Sequence, residues 1–252
     1  METLLEIIGL SISYQTKKQE IKAIDNISFT VKKGEFVAII GRSGCGKTSI
    51  LSAISNLIPY IGKIKFYNDK GLSTNRPQIG YMLQRDELFP WLTIRQNACL
   101  PLKIKNNYTK EKIEYVDNLL EKYGLSAFKN SYPNQLSGGM RQRAALIRTL
   151  AISPSLLLLD EPFSALDSQT RISVCDDVYN IIKKENKTAI LVTHDISEAI
   201  SVADKIIVLT ERPANILSMH EINLNKELSP LKRREEKGFA SLFETLWGEL
   251  HK

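Results

Sequence analysis

Apolar residues recur along the chain with two periods. Residues 5–14 and 24–31 are alternating or β-rich runs, the mark of half-buried strands. Residues 36–40 form a short, continuously apolar run, as in a strand buried on both faces of a parallel sheet. Three further short apolar strands are predicted at 156–160, 189–192 and 205–209, separated by helical sequence. Helical patterns occupy 47–56, 110–123 and 140–151, and Asn68-Asp69-Lys70-Gly71 signals a turn between further strands. Strands alternating with helices predict an α/β fold with a parallel sheet and helices on both of its faces. The stretch 85–153 is almost wholly helical and reads as an inserted sub-domain within a core of about 1–84 and 154–212. After Arg212-Pro213 the pattern weakens into a charged tail, 213–252, that ends in an amphipathic stretch at 239–250.

Composition narrows the class. With 43% hydrophobic and 25% charged residues, the chain is an ordinary globular protein. Its apolar runs are too short to cross a bilayer, and no secretory signal pattern opens it. Cys45, Cys99 and Cys175 lack C-x-x-C spacing, which predicts reduced thiols in a cytoplasm. The net charge of +6 is spread over short groups such as Lys17-Lys18, Lys32-Lys33 and Lys183-Lys184. The one dense run, Lys232-Arg233-Arg234, is followed by Glu235-Glu236, and the charge as a whole reads first as solvated surface, then as attraction to an anionic membrane surface, with nucleic acid last. No basic stripe interleaved with aromatics is present, so no nucleic-acid partner is expected.

Between the buried run and the first helix lies Gly41-Arg42-Ser43-Gly44-Cys45-Gly46-Lys47-Thr48, a match to G-x-x-x-x-G-K-[ST]. Such a loop lets successive amides point at phosphate oxygens, and the helix N-terminus adds a favourable dipole. Lys47 is expected at the β- and γ-phosphates and Thr48 on Mg²⁺, with Ser49 counted in the same site. A helix N-terminus lowers a nearby thiol's pKa, so either Cys45 is a thiol whose alkylation should block nucleotide binding, or it is simply a small residue that the loop tolerates. Residues 156–159 lead into Asp160-Glu161-Pro162, which puts a carboxylate at the C-terminal edge of a sheet, where ligands bind in such folds. Asp160 suits the Mg²⁺ shell, and Glu161 the polarising of an attacking water.

Leu136-Ser137-Gly138-Gly139-Met140 taken alone could be an ordinary N-cap and tight turn. Between the phosphate loop and the acidic strand, and with Gln84, Ser164-Ala-Leu-Asp167 and His194 in order, the chain resembles the ATP-binding cassette (ABC) ATPases over nearly all its length. The resemblance implies one domain over 1–252 with a P-loop NTPase fold. That fold has a RecA-like core with a parallel sheet, an N-terminal antiparallel β sub-domain and an inserted helical signature sub-domain. It further implies that Tyr14 stacks on adenine, that Gln84 contacts Mg²⁺ and water, and that His194 bonds the γ-phosphate. Ser137, Gly138 and Gly139 would cap the γ-phosphate held by a second ATPase subunit, with Asp167 at the interface, so an ATP-dependent homodimer is implied. Met140 departs from the commonest signature, which has Gln there.

The segment Gln84-Arg-Asp-Glu-Leu-Phe89-Pro90-Trp91-Leu-Thr93 and the motif Glu211-Arg212-Pro213-Ala214 are similar to the nitrate, sulfonate, taurine and bicarbonate importer group. That group also serves thiamine precursors. The similarity implies transmembrane permease subunits, an extracytoplasmic solute-binding protein as an indirect partner, and a place on the cytoplasmic face of a bacterial membrane. Phe89, Pro90 and Trp91 either receive a short helix of the membrane subunit or pack in the sub-domain core. An export or lipoprotein-release cassette shares the same chemistry, and a DNA-associated ATPase would carry a coiled-coil insertion that this chain lacks. Glu161→Gln should cut steady-state ATP turnover by ~10²–10⁴-fold while leaving ATP binding intact, as a turnover assay paired with a nucleotide-binding titration would read.

Overall fold

The computed structural model describes residues 2–15, 19–69, 71–73 and 75–251; the Lys17-Lys18 pair and Lys70 of the turn lie outside them. The chain divides into two compact units, 1–77 with 186–252, and 78–185.

In the first unit, β1 (Thr3–Gln15) pairs antiparallel with β2 (Glu20–Lys32) and with β4 (Ile61–Asn68), and β5 (Gly71–Leu72) extends the sheet beyond β4. The alternation in β1 explains its burial. Leu5 and Ile7 point inward, a bulge between Ile7 and Leu10 shifts the register, and Leu10 and Ile12 continue the buried row at even positions. The parallel strands β8 (Thr188–Thr193), β3 (Phe36–Ile40) and β9 (Lys205–Leu209) lie side by side in that order, each wholly buried. Ile40 sits opposite Thr193 of β8 and opposite Val208 of β9. The helices α1 (Lys47–Ile54) and α6 (Ile196–Val202) follow β3 and β8.

The stretch after Arg212 is more ordered than its pattern predicts. It forms β10 (Ile216–Glu221), antiparallel to β9, then α7 (Pro230–Arg233) and α8 (Lys237–Leu250). On β10 the apolar Leu217 and Met219 are exposed, while Ser218 and His220 turn toward α8. The usual alternation is reversed there, which hides the strand from a periodicity reading. His220 Nε2 lies 3.0 Å from Glu249 Oε2, and the Ser218 hydroxyl donates to the same carboxylate. Phe239 and Leu246 of α8 join Ile222 and Leu224 in one buried cluster with Ala38, Ile40, Ile200 and Val208. Within the Lys232-Arg233-Arg234 run Lys232 is exposed, but Arg233 is not solvated surface. Arg233 is 1% exposed, its guanidinium donating to Ser201 O at 3.0 Å and Asn225 O at 3.1 Å. A buried cation of this kind is tolerated because carbonyls accept its hydrogens.

In the second unit, β6 (Ile79–Met82) and β7 (Leu156–Asp160) run parallel, Met82 opposite Leu159. The remainder is helical: α2 (Ile94–Ile104), α3 (Lys110–Lys122), α4 (Gly138–Leu150) and α5 (Ser168–Lys184), with α4 packed on α2, α3 and α5. Thr93 opens α2 with a reciprocal cap, its hydroxyl accepting from Gln96 N while Gln96 Oε1 accepts from Thr93 N. Glu185 ties the end of α5 to α3, accepting from Lys122 at 2.7 Å and Tyr123 at 2.9 Å. Among the described residues no helix is long and apolar enough to cross a membrane.

One buried ion pair secures the turn into β3. Lys205 Nζ lies 2.9 Å from Glu35 Oε1 and donates to Thr30 O at 3.2 Å, while Glu35 Oε2 accepts from Lys32 N at 2.7 Å. Both side chains are under a tenth exposed, so removing one charge strands the other. Lys205→Met should lower unfolding free energy by about 3–5 kcal/mol in urea titration, and adding Glu35→Gln should recover most of that loss.

Candidate functional site

The first unit delivers the phosphate loop directly from β3. Gly44 and Gly46 take φ +80 and +117, which a side chain would strain. A Cβ on Gly46 would also stand 2.8 Å from Ile24 Cδ1, whereas at Gly44 the space is open. No side chain caps α1, so its first-turn amides face the loop rather than a capping oxygen. Lys47 is buried and donates to Gly41 O at 2.8 Å and Arg42 O at 3.1 Å, a direction in which anionic oxygens could replace carbonyls. Thr48 is exposed at the head of α1 and carries a hydroxyl suited to a hard cation. Tyr14 is 41% exposed, its hydroxyl 2.8 Å from Ser49 Oγ. That bond ties the aromatic proposed for adenine to the helix behind the loop.

His194 follows β8 at the level where the loop leaves β3, a consequence of the Ile40–Thr193 register. It is exposed. Its neighbours are fixed in turn: Thr193 Oγ1 donates to Glu198 Oε2 at 3.0 Å and accepts from Asp195 N at 3.1 Å, and Asp195 caps α6 through Glu198 N. On the other side of β3, the chain leaving β9 reaches the loop. Arg42 pairs with Glu211 and donates from Nε to Leu250 O at 2.8 Å, while Arg212 donates to Gly44 O.

The second unit holds the acidic and signature residues. Asp160 is 6% exposed at the end of β7, with the Tyr81 hydroxyl 3.3 Å from its Oδ2. Glu161 follows in a left-handed conformation, φ +43, held by Ser164, whose N and Oγ both donate to Glu161 O at 3.2 and 3.0 Å. Gln84 Nε2 donates to the same Ser164 Oγ at 3.2 Å. Ser164 therefore joins Gln84 to the Glu161 backbone. Motif spacing alone does not reveal that link. Asp167 caps α5 by accepting from the Thr170 amide, and hydrogen bonds from the Thr170 hydroxyl first and that amide second hold its carboxyl below the usual range.

Ser137 caps α4, its Oγ accepting from Met140 N at 3.4 Å, with Gly138 and Gly139 in the first turn. The same helix braces the loop after Gln84. Arg141 Nε lies 3.0 Å from Asp86 Oδ2, and Arg148 donates to Asp86 O and Glu87 O at 2.7 and 2.6 Å. Asn97, which no motif singles out, is fully buried and staples the next stretch, bonding Phe89 N and the carbonyls of Phe89, Leu92 and Thr93. Phe89 and Trp91 are thereby held outward, 39% and 68% exposed with ring centroids 5.0 Å apart, and are not sub-domain core. Thr48, Gln84 and Asp160 each carry a side-chain oxygen, the kind of donor that Mg²⁺ takes.

Cys45 departs from expectation. Its thiol is 3% exposed, and burial raises its pKa, outweighing the opposing charge of Lys47. A raised pKa leaves less thiolate at neutral pH, so Cys45 in the folded protein should alkylate more slowly than free cysteine. The rate should keep climbing past the pH at which an ordinary thiol levels off, measured by mass spectrometry of iodoacetamide adducts across pH.

Comparison with known proteins gives the family. The family model described as ABC transporter matches residues 24–164. The chain is 45% identical over 256 residues to YtlC, an ABC transporter ATP-binding protein of Bacillus subtilis (strain 168), covering 99% of this chain and 96% of that one. It is 38% identical over 221 residues to the aliphatic sulfonates import ATP-binding protein SsuB of Bacillus cereus, with 87% and 86% covered. Among solved structures, the dimeric post-hydrolysis state of the ATP-binding cassette MJ0796 with ADP and Pi superposes with a TM-score of 0.72 at 30% identity, covering 87% of this chain and 99% of that one. The chain thus belongs to the ABC transporter ATP-binding family, as an α/β cassette of the P-loop NTPase fold that binds ATP with Mg²⁺ and hydrolyses it.

Proposed function

We propose that this cassette energises uptake of a small solute through separate membrane subunits, the solute being of the sulfonate, nitrate, taurine, bicarbonate or thiamine-precursor kind. The observation that carries the import reading is the 38% identity to SsuB over 87% of this chain, a relative named for aliphatic sulfonate import. In this reading the amides of residues 41–49 hold the phosphates and Lys47 neutralises the β- and γ-oxygens. Thr48, Gln84 and Asp160 hold Mg²⁺ or its waters, Glu161 polarises the attacking water, and His194 bonds the γ-phosphate. Tyr14 stacks on adenine. Ser137, Gly138 and Gly139 cap the γ-phosphate of a second copy, and the dimeric state of MJ0796 supports that pairing.

The aromatic pair Phe89 and Trp91, held outward by Asn97, suits the docking of a membrane subunit's short helix, since exposed aromatics anchor interfaces. The chain would then lie at the cytoplasmic face of the membrane, with a solute-binding protein acting on the far side. The test is reconstitution with its permease and binding protein in proteoliposomes. ATP-dependent accumulation of an alkanesulfonate or another of these solutes supports import, whereas ATP-driven efflux would replace it. Trp91→Asp should lower transport by about tenfold or more while the isolated subunit's ATPase activity stays within about twofold; transport that remains coupled would refute the docking role.

A further inference from the structure

We propose that Glu211 and Arg212 are positioning residues of the nucleotide site, gripping the outer flank of the phosphate loop and holding its backbone in the shape that receives phosphate. The inference rests on the reading that residues 41–48 bind the phosphates of ATP.

A peptide unit is planar and trans, so its carbonyl and its amide point in opposite directions. Fixing the carbonyl of one loop residue therefore fixes the amide of the next. Arg212 donates to the carbonyl of Gly44, and so orients the peptide that carries the amide of Cys45. Gly44 has φ +80 and open space where a Cβ would stand, so side-chain packing does not hold it there. Glu211 takes the side chain of Arg42, two residues earlier, and the last carbonyl of α8 takes the same guanidinium at 2.8 Å. Adjacent residues of opposite charge thus hold two points of one loop.

Their own segment is a firm base. Thr210 N donates to Asn215 O at 2.9 Å and Asn215 N to Thr210 Oγ1 at 2.8 Å, closing the turn. Ala214 exchanges backbone bonds of 2.9 Å with Ala23 O and Asp25 N of β2. The parallel register supplies the reach, because Val208 lies level with Ile40 and the segment leaves β9 beside Gly41. Exposed pairs such as Arg42 and Glu211, 47% and 68% exposed, add little to folding stability. Their effect is on loop order, which binding would otherwise have to supply.

The experiment compares wild type, Arg212→Ala, Arg212→Lys, Glu211→Ala and Lys47→Ala in ATP-Mg²⁺ binding, steady-state ATPase kinetics and nucleotide-free melting. Arg212→Ala and Glu211→Ala should raise the Kd and KM for ATP on the order of fivefold, with kcat at saturation and the nucleotide-free Tm unchanged. Arg212→Lys, which keeps a donor for Gly44 O, should restore most of the affinity. Unchanged ATP affinity in both alanine variants overturns the inference, as does a fall in nucleotide-free Tm that accounts for the loss without rescue by lysine. Lys47→Ala separates the two readings. If it abolishes ATP binding while the alanine variants at 211 and 212 do nothing, only the positioning role fails; if it too binds ATP normally, the phosphate-loop reading fails.

Discussion

The parallel pairing of β3 with β8 and β9 sets Ile40 opposite Thr193 on one side and opposite Val208 on the other. Three strands therefore release their chains at one level of the sheet. From the centre comes the phosphate loop, from one neighbour His194, and from the other the segment that carries Glu211 and Arg212. Ligands of open α/β sheets gather at the C-terminal ends of strands for this reason: the backbone there has left the ladder and its polar groups can turn outward. The buried Lys205–Glu35 pair holds the opposite end of the same strands, at the start of β3 and β9.

The second unit repeats the logic with a parallel pair. Because Met82 lies opposite Leu159, the chain after β6 emerges level with Asp160. Gln84 and Glu161 are then joined through Ser164. The signature helix α4 presents Ser137, Gly138 and Gly139 at its start and, through Arg141 and Arg148, braces the loop that follows Gln84. One helix thus links the signature to the segment carrying Phe89 and Trp91.

Much of this was legible in the residues. The runs at 36–40, 156–160 and 205–209 became strands with those bounds, since wholly buried strands leave an unbroken apolar signature. Other features were hidden for physical reasons. On β10 the inward side is occupied by Ser218 and His220, satisfied by Glu249, so its hydrophobic pattern is inverted. Arg233 reads as part of a basic run, yet it is buried because Asn225 O and the more distant Ser201 O accept its hydrogens. Cys45 sits at a helix N-terminus, where a dipole argument predicts an acidic thiol, but desolvation is the larger effect.

By itself the sequence determined the short buried strands, the phosphate loop, the acidic strand end and the signature, because each depends on residues close together in the chain. Period, cap and turn chemistry are local, and local spacing records them. The tertiary structure alone decided which partners complete those motifs: Ser49 for Tyr14, Ser164 between Gln84 and Glu161, Asn97 beneath Phe89, and Arg212 on Gly44. Hydrogen bonds between residues up to 168 positions apart leave no periodic trace, since they depend on strand register and packing.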